Sequence, residues 1–191
     1  MHLNSLMIRT RLWLGFGMLL IIMLIMATFN TTRLNSISNQ TSQMLEQNVS
    51  GVETSLEVAR LMQENGRRVS ALFLTRDQNL RKEHYQAIDA NKKTIGQLLE
   101  KLAKQDNNAE RKTLIESATK SRVAFVAAFV NAADSLELDD VEAAENQMNN
   151  IVFPALNKAT IDMKTLVDYE RKQLEKEDNA VKNDINSSIK V

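Results

Sequence analysis

Pro154 is the only proline in 191 residues, and only five glycines accompany it. A chain with so few residues able to turn or break a helix is committed to long helices joined by short connections. Alanine, leucine, glutamine, lysine and glutamate are plentiful, which points the same way. The length suffices for one domain with a real core, or for a small domain plus a membrane element. With no cysteine in the chain, disulfides, thiolate zinc sites, iron–sulfur clusters and covalent haem attachment are excluded. Twenty-four basic residues balance twenty-four acidic ones, so the charge carries no nucleic-acid footprint.

The sharpest change in composition is at the N-terminus. Leu12 to Phe29, LWLGFGMLLIIMLIMATF, runs for eighteen residues without a charge. At about 1.5 Å per residue it reaches roughly 27 Å, enough to cross the hydrocarbon core of a bilayer. Arg9 and Arg11 precede it, so the positive-inside tendency keeps residues 1–11 cytoplasmic and exports residues 30–191. A cleaved signal peptide is the competing explanation. The long apolar run and the lack of a small-x-small cleavage site favour an uncleaved membrane anchor over residues 12–29.

From Asn30 onward the pattern is helical. Leu34, Ile37, Leu45, Val49, Val52, Leu56 and Ala59 recur at three- and four-residue steps, and Val69 and Phe73 extend that side. No breaker separates this stretch from the membrane run, so a single helix is expected to about Leu74, weakened at Gly51 and Gly66. After TRDQN a second helix carries Leu80, Ile88, Ile95, Leu98 and Leu102. KQDNNAE is the next break, with Asn107 or Asn108 as N-cap. A third helix carries Ile115, Ala118, Val126, Phe129, Ala133 and Leu136, then LELDDVEAAE turns with Asp139 or Asp140 as cap. The fourth carries Met148, Val152, Ala155, Ala159, Met163, Leu166 and Leu174, with Pro154 expected to kink it or free a carbonyl near Asn150. The predicted fold is all-α: an up-down-up-down antiparallel four-helix bundle whose first helix continues from the transmembrane helix.

Enzyme signatures are missing. The sequence has no glycine-rich phosphate loop, no H-E-x-x-H and no G-x-S-x-G. His84 has no second histidine on its helix and no Glu-x-x-His pairing, so neither catalysis, a bound metal nor a cofactor is expected.

One polar residue stands out against this background. In SRVAFVAAFV, residues 121–130, Arg122 falls in line with Ala118, Phe125 and Phe129 on the apolar stripe. An unpaired buried guanidinium is costly, so a counter-charge is required. Counting the helical rise from each turn brings Arg60, Arg67 and Arg68 of the first helix to the height of Arg122. His84, Tyr85 and Asn91 of the second helix and Asn150 beside the proline share that level. In one interpretation Arg122 snorkels to the rim and pairs with Glu64, while Arg67 and Arg68 cover a solvated or dimer-facing surface. In the other the counter-charge is a ligand. Guanidinium forks hold carboxylates bidentately, so converging arginines with amide and phenol donors suit a small organic acid. These eight residues form the candidate ligand site.

A short basic N-terminus, one membrane helix and an exported four-helix bundle resemble the sensor portion of bacterial methyl-accepting chemotaxis transducers. The matching pieces are RTRLWLGFGMLLIIMLIM, VARLMQENGRRVSALFLTRDQN and NNIVFPALNKA with its helix-four proline. The resemblance implies an inner-membrane protein with its bundle in the periplasm, a parallel homodimer with helix one at the interface, and a small-molecule ligand. In amino-acid-sensing members, arginines high on helix one grip the ligand carboxylates, a role Arg67 or Arg68 would fill. Groups around the helix-four proline take the amine; here these are Asn150, Ile151 and Phe153. The threonine that follows the proline in those members is Ala155, and Arg122 is an added cation. Both departures point toward a di- or tricarboxylate without an amine, such as malate or citrate. Similar proteins continue into a second membrane helix, a linker domain and a methylated hairpin, so this chain corresponds to the sensing portion. The same module on a histidine kinase or nucleotide cyclase, or a membrane-anchored protein-interaction bundle, would share these features.

Overall fold

A computed structural model describes residues 8–43, 48–105 and 108–189, with side chains placed at 12–29, 31–32, 38, 48–105 and 108–187. Among these residues all regular structure is helical. The elements are α1 (Ile8–Gln43), α2 (Ser50–Leu74), α3 (Gln78–Lys104), α4 (Ala109–Glu137), α5 (Val141–Gln147) and α6 (Phe153–Ile189), with a π-helical turn at Met148–Val152 between the last two. The chain divides into two compact units, Met44–Glu177 and a second made of Met1–Gln43 with Asp178–Val191.

In the latter unit α1 holds the window Leu12–Phe29, of mean hydropathy 2.4 and with none of it buried. Length and composition make it a candidate membrane span. Thr28, Thr31 and Thr32 each return their hydroxyl to a carbonyl about one turn earlier, at 2.8–2.9 Å. None of these hydroxyls then depends on water for a partner.

Met44–Glu177 is the bundle, and its four antiparallel arms are α2, α3, α4 and the run from α5 through the π turn into α6. Val58, Leu61, Val69 and Leu72 of α2 are buried with Ile88, Ile95, Leu99 and Leu102 of α3. Ile115, Ala118, Phe125 and Phe129 of α4 and Val152, Ala159, Met163 and Leu166 of the last arm close the core. Three- and four-residue spacing places each set on one helical face, and each large side chain contributes about 1.5–3 kcal/mol on burial. Two residues expected on the inner stripes are not there: Leu56 and Leu80 stand 39% and 46% exposed. Leu80 sits in the first turn of α3, whereas Leu56 lines a groove between α2 and α6. Continuity of the first helix through residues 44–47, its Leu45, the side chains of Leu34 and Ile37, and Asn107 lie outside the described residues.

Short polar caps define the turns. Asp77 accepts from the backbone N–H groups of Asn79 and Leu80, and Asn108 from those of Glu110 and Arg111. Asp140 caps α5 through Ala143. Just before it, Asp139 takes a left-handed φ of 60°, and the N–H groups of Asp139 and Asp140 return to the carbonyls of Leu136 and Ser135. That is a Schellman ending, with aspartate tolerating the position glycine usually fills. The interruption expected at Pro154 takes the form of the π turn. The Phe153 N–H reaches back five residues to the Met148 carbonyl, which widens the turn the proline ring enters.

Candidate functional site

On α2, the arginines find acids on their own helix. Arg60 grips Glu57 with two bonds of 2.8 Å, and that hydrogen bond holds the Glu57 carboxyl below its usual pKa. Arg67 and Arg68 share a single acid, Glu64, at 2.7 and 2.8 Å. The Arg67 side chain is 74% exposed and that of Arg68 is 31% exposed, with the Arg68 Nε buried and unpartnered among the described residues. Beside them the helices come close. A Cβ on Gly66 would lie 2.8 Å from Cδ2 of Leu156, so α6 just after Pro154 packs directly against α2 at this level. Asn150, on the π turn, is exposed and donates to Asn146 at 3.0 Å.

Arg122 belongs to different surroundings. It is half-buried between α3 and α4, where its Nη2 donates to the Lys92 carbonyl at 2.6 Å and its Nε is buried without a partner among the described residues. Burial holds its pKa below the usual value, and among the described residues no carboxylate lies within ion-pair distance. Glu64 is taken by Arg67 and Arg68, so the expected Glu64–Arg122 pair does not form. The guanidinium borders a cavity of about 30 Å³, whose other lining includes Asn65, Asp89, Lys92 and Phe125. Such a space holds water rather than an organic acid. Asn91 donates to the buried Asn65 at 2.9 Å and so supports this cavity from behind. Tyr85 belongs to a third setting. Its hydroxyl and Arg81 both donate to Glu137, and burial, then the bond to Glu137, raises the phenol pKa. His84 is half-buried, with Nδ1 unpartnered among the described residues. Within the chain, then, the eight residues are dispersed: Arg122 and Tyr85 border different cavities that share only Asp89, and the α2 arginines line neither.

A family described as a four helix bundle sensory module for signal transduction matches residues 5–185. The chain belongs to this family, the sensory module of methyl-accepting chemotaxis proteins. No curated protein matches the chain. The sensory module is a signalling element rather than a catalytic domain, and its match takes in the apolar helix as well as the bundle.

The sensory module also holds a polar centre that helix-level counting missed. Arg111 and Glu170 are 4% and 2% exposed and form an ion pair at 2.7 Å. Their signal was present in the sequence. Arg111 precedes Ile115 and Ala118 on the inner stripe of α4, and Glu170 follows Met163 and Leu166 on that of α6. Asn65, Arg81 and Glu137 were missed as well. Of these only Asn65, four residues after Leu61 and four before Val69, interrupts a core stripe.

Proposed function

We propose that this sensory module binds a small organic acid, a di- or tricarboxylate of the malate or citrate kind, and passes its occupancy across a membrane for chemotaxis. The site lies at the level where α2 presents Arg67 and Arg68 beside the π turn and Pro154. The observation that carries it is the shared carboxylate: among the described residues two guanidiniums are served by Glu64 alone, and the Arg68 Nε is left open. Pairs this exposed are weak, about 0–1 kcal/mol, so a ligand carboxylate exchanges with Glu64 at little cost. A fork-shaped donor set suits bidentate recognition of a carboxylate.

The module acts as a homodimer, with a partner copy completing the site. Supporting this is a groove of about 230 Å³ between α2 and α6, lined by Leu56, Ala59, Met62, Met163 and Val167 among others and bordered by the π-turn arm. Leu56 is left exposed there, as an interface residue would be. Arg9 and Arg11 ahead of the span support a bundle outside the inner membrane, in the periplasm.

A second location rests on a specific observation as well. Among the described residues Arg122 has no acid within ion-pair distance, so a rearranged α3–α4 cavity would offer it to a carboxylate. Calorimetric titration of the detergent-solubilised chain with malate, citrate and a panel of amino acids decides between them. Arg67→Ala/Arg68→Ala abolishes binding if the α2 site is right, and Glu64→Gln tightens it by removing the competing acid. Loss confined to Arg122→Ala moves the site to α3–α4. No heat from any acid with the wild-type chain refutes the carboxylate assignment.

A further inference from the structure

Near the α3–α4 turn, one buried guanidinium ties the arms of the bundle together. From the first turn of α4, Arg111 Nε donates to Glu170 Oε1 of α6 at 2.7 Å. Its Nη1 donates to the Leu102 carbonyl of α3 at 2.7 Å, and its Nη2 to Gln105 Oε1 at 3.3 Å. Gln105 in turn donates to Ser50 of α2 at 3.2 Å. On the α2 side the carboxylate rests against bare backbone: a Cβ on Gly51 would lie 2.7 Å from Glu170 Oε2 and 3.5 Å from Arg111 Nη2. Higher on α2, Gly66 receives Leu156 of the same helix α6 in the same manner. Thus α6 is seated on α2 through two positions without a Cβ, one taking an apolar side chain and the other a charged one.

The two seats resist displacement unequally. Leucine shifted along a helix surface meets other apolar atoms, and the loss is partial. Glu170 shifted by even one residue, about 1.5 Å, leaves two desolvated charges without their geometry, and nothing apolar compensates that. We propose that Arg111 and Glu170 are positioning residues that fix the axial register of α6 against α4 and the end of α3. Where occupancy is transmitted by movement of α6, a step that rests on the function proposed above, this pair sets the resting position and limits the travel. The register itself does not depend on any ligand.

The chain contains no cysteine, so engineered pairs report without background. Ser117 of α4 and Asp162 of α6 lie side by side, 3.2 Å apart through Oγ and Oδ2, so Ser117→Cys/Asp162→Cys reports the native register. Ser117→Cys/Lys158→Cys reports a displacement of one turn. Both pairs are oxidised in membranes carrying the full chain, without added ligand, in three backgrounds: wild type, Arg111→Met/Glu170→Met and Arg111→Lys. The apolar double variant keeps the volume filled, so its melting temperature holds or rises. Its ratio of native to displaced cross-linking falls about tenfold, equivalent to roughly 1.4 kcal/mol of register preference. Arg111→Lys keeps the charge, loses the bonds to Leu102 and Gln105, and gives an intermediate ratio. A folded double variant with the wild-type ratio overturns the proposal. Should the double variant fail to fold, Arg111→Lys decides alone, and an unchanged ratio there overturns it equally.

Discussion

Arg111 and Arg122 stand on the same helix and both face inward, yet they occupy opposite situations. Arg111 is 4% exposed and has a carboxylate, a carbonyl and an amide oxygen around its guanidinium. Arg122 is half-buried, bonds one carbonyl and meets no acid among the described residues. Burial alone therefore does not predict whether a cation is paired within the chain. What differs is the neighbouring helix. At Arg111 the α6 stripe supplies Glu170, whereas at Arg122 the α3 side supplies Gly96, backbone and, beyond ion-pair distance, Asp89, with Asn65 of α2 across the cavity. The first arrangement serves structure; the second leaves the cation's chemistry unused by the fold.

The largest effect that tests this contrast is on stability. Removing one partner of a fully buried pair strands the other charge, at about 3–5 kcal/mol. Arg111→Ala and Glu170→Ala are each expected to lose that much in urea unfolding of the bundle. Arg122→Ala strands no carboxylate, and its unfolding midpoint should stay close to wild type. Equal losses at Arg111 and Arg122 would erase the distinction between them.

Next in size is binding. A ligand carboxylate closed in by the proposed partner copy and left without its cation costs about 2–5 kcal/mol, so Arg68→Ala is expected to weaken the acid identified by calorimetry by that amount. Arg68→Lys should recover part of it, because an ammonium keeps the charge but not the planar fork. Full recovery by lysine would make the contact a simple point charge and not bidentate recognition.

Much of the frame is legible in the sequence, because it rests on local rules. Core stripes at three- and four-residue steps, the caps Asn108 and Asp140, and the disturbance at Pro154 all follow from properties of a few adjacent residues. The π turn does not, since a proline marks where a helix is disturbed and not how the backbone absorbs it. The site is less local. Glu64 and a ligand are alternative counter-charges for Arg122 in the sequence, but Arg67 and Arg68 stand three and four residues from Glu64 on its own helix, and that proximity wins. Counting levels also passed over Arg111 and Glu170. Both break apolar stripes just as Arg122 does, but near the connection between α3 and α4, away from the level of Arg67 and Arg68. Which side of its helix each arginine faces is settled by packing between arms, and that information is not local.

A smaller effect concerns the close seat at Gly66. A methyl group there would approach Leu156 to 2.8 Å, against the end of a side chain wedged between α2 and α6. Overpacking of this kind costs about 1–3 kcal/mol, but Leu156 Cδ2 is the end of a side chain and alanine gains about 1 kcal/mol of helix propensity, so Gly66→Ala should change stability by far less than Arg111→Ala. Its effect on binding should exceed what its stability loss explains, because it pushes α6 away from Arg67 and Arg68. Calorimetry at a temperature where the variant remains folded measures this; unchanged affinity would separate the seat from the site.

Asp162 gives the smallest expected effect and lies between the two arginines in character. Its side chain is 11% exposed, yet its partner Lys158 is 63% exposed, so the pair sits at the rim and not in the core. Burial alone would raise its pKa. The hydrogen bonds from Lys158 and Ser117, with the charge of Lys158, outweigh that and hold the carboxyl below its usual value. A depressed folded pKa stabilises the fold above the unfolded value, about 3.9, and the contribution disappears as pH falls through the folded value. Wild type should therefore lose this increment below about pH 4, whereas Asp162→Asn lacks it at pH 7 and has nothing further to lose there. For a rim pair the difference should not exceed roughly 1 kcal/mol. Urea midpoints of both proteins at pH 7, 4 and 3 supply the comparison. A gap that narrows with acid places Asp162 with Arg111 as a partnered charge, only weaker; a gap constant with pH would mean that the carboxylate's ionisation is immaterial and that its shape alone fills the site.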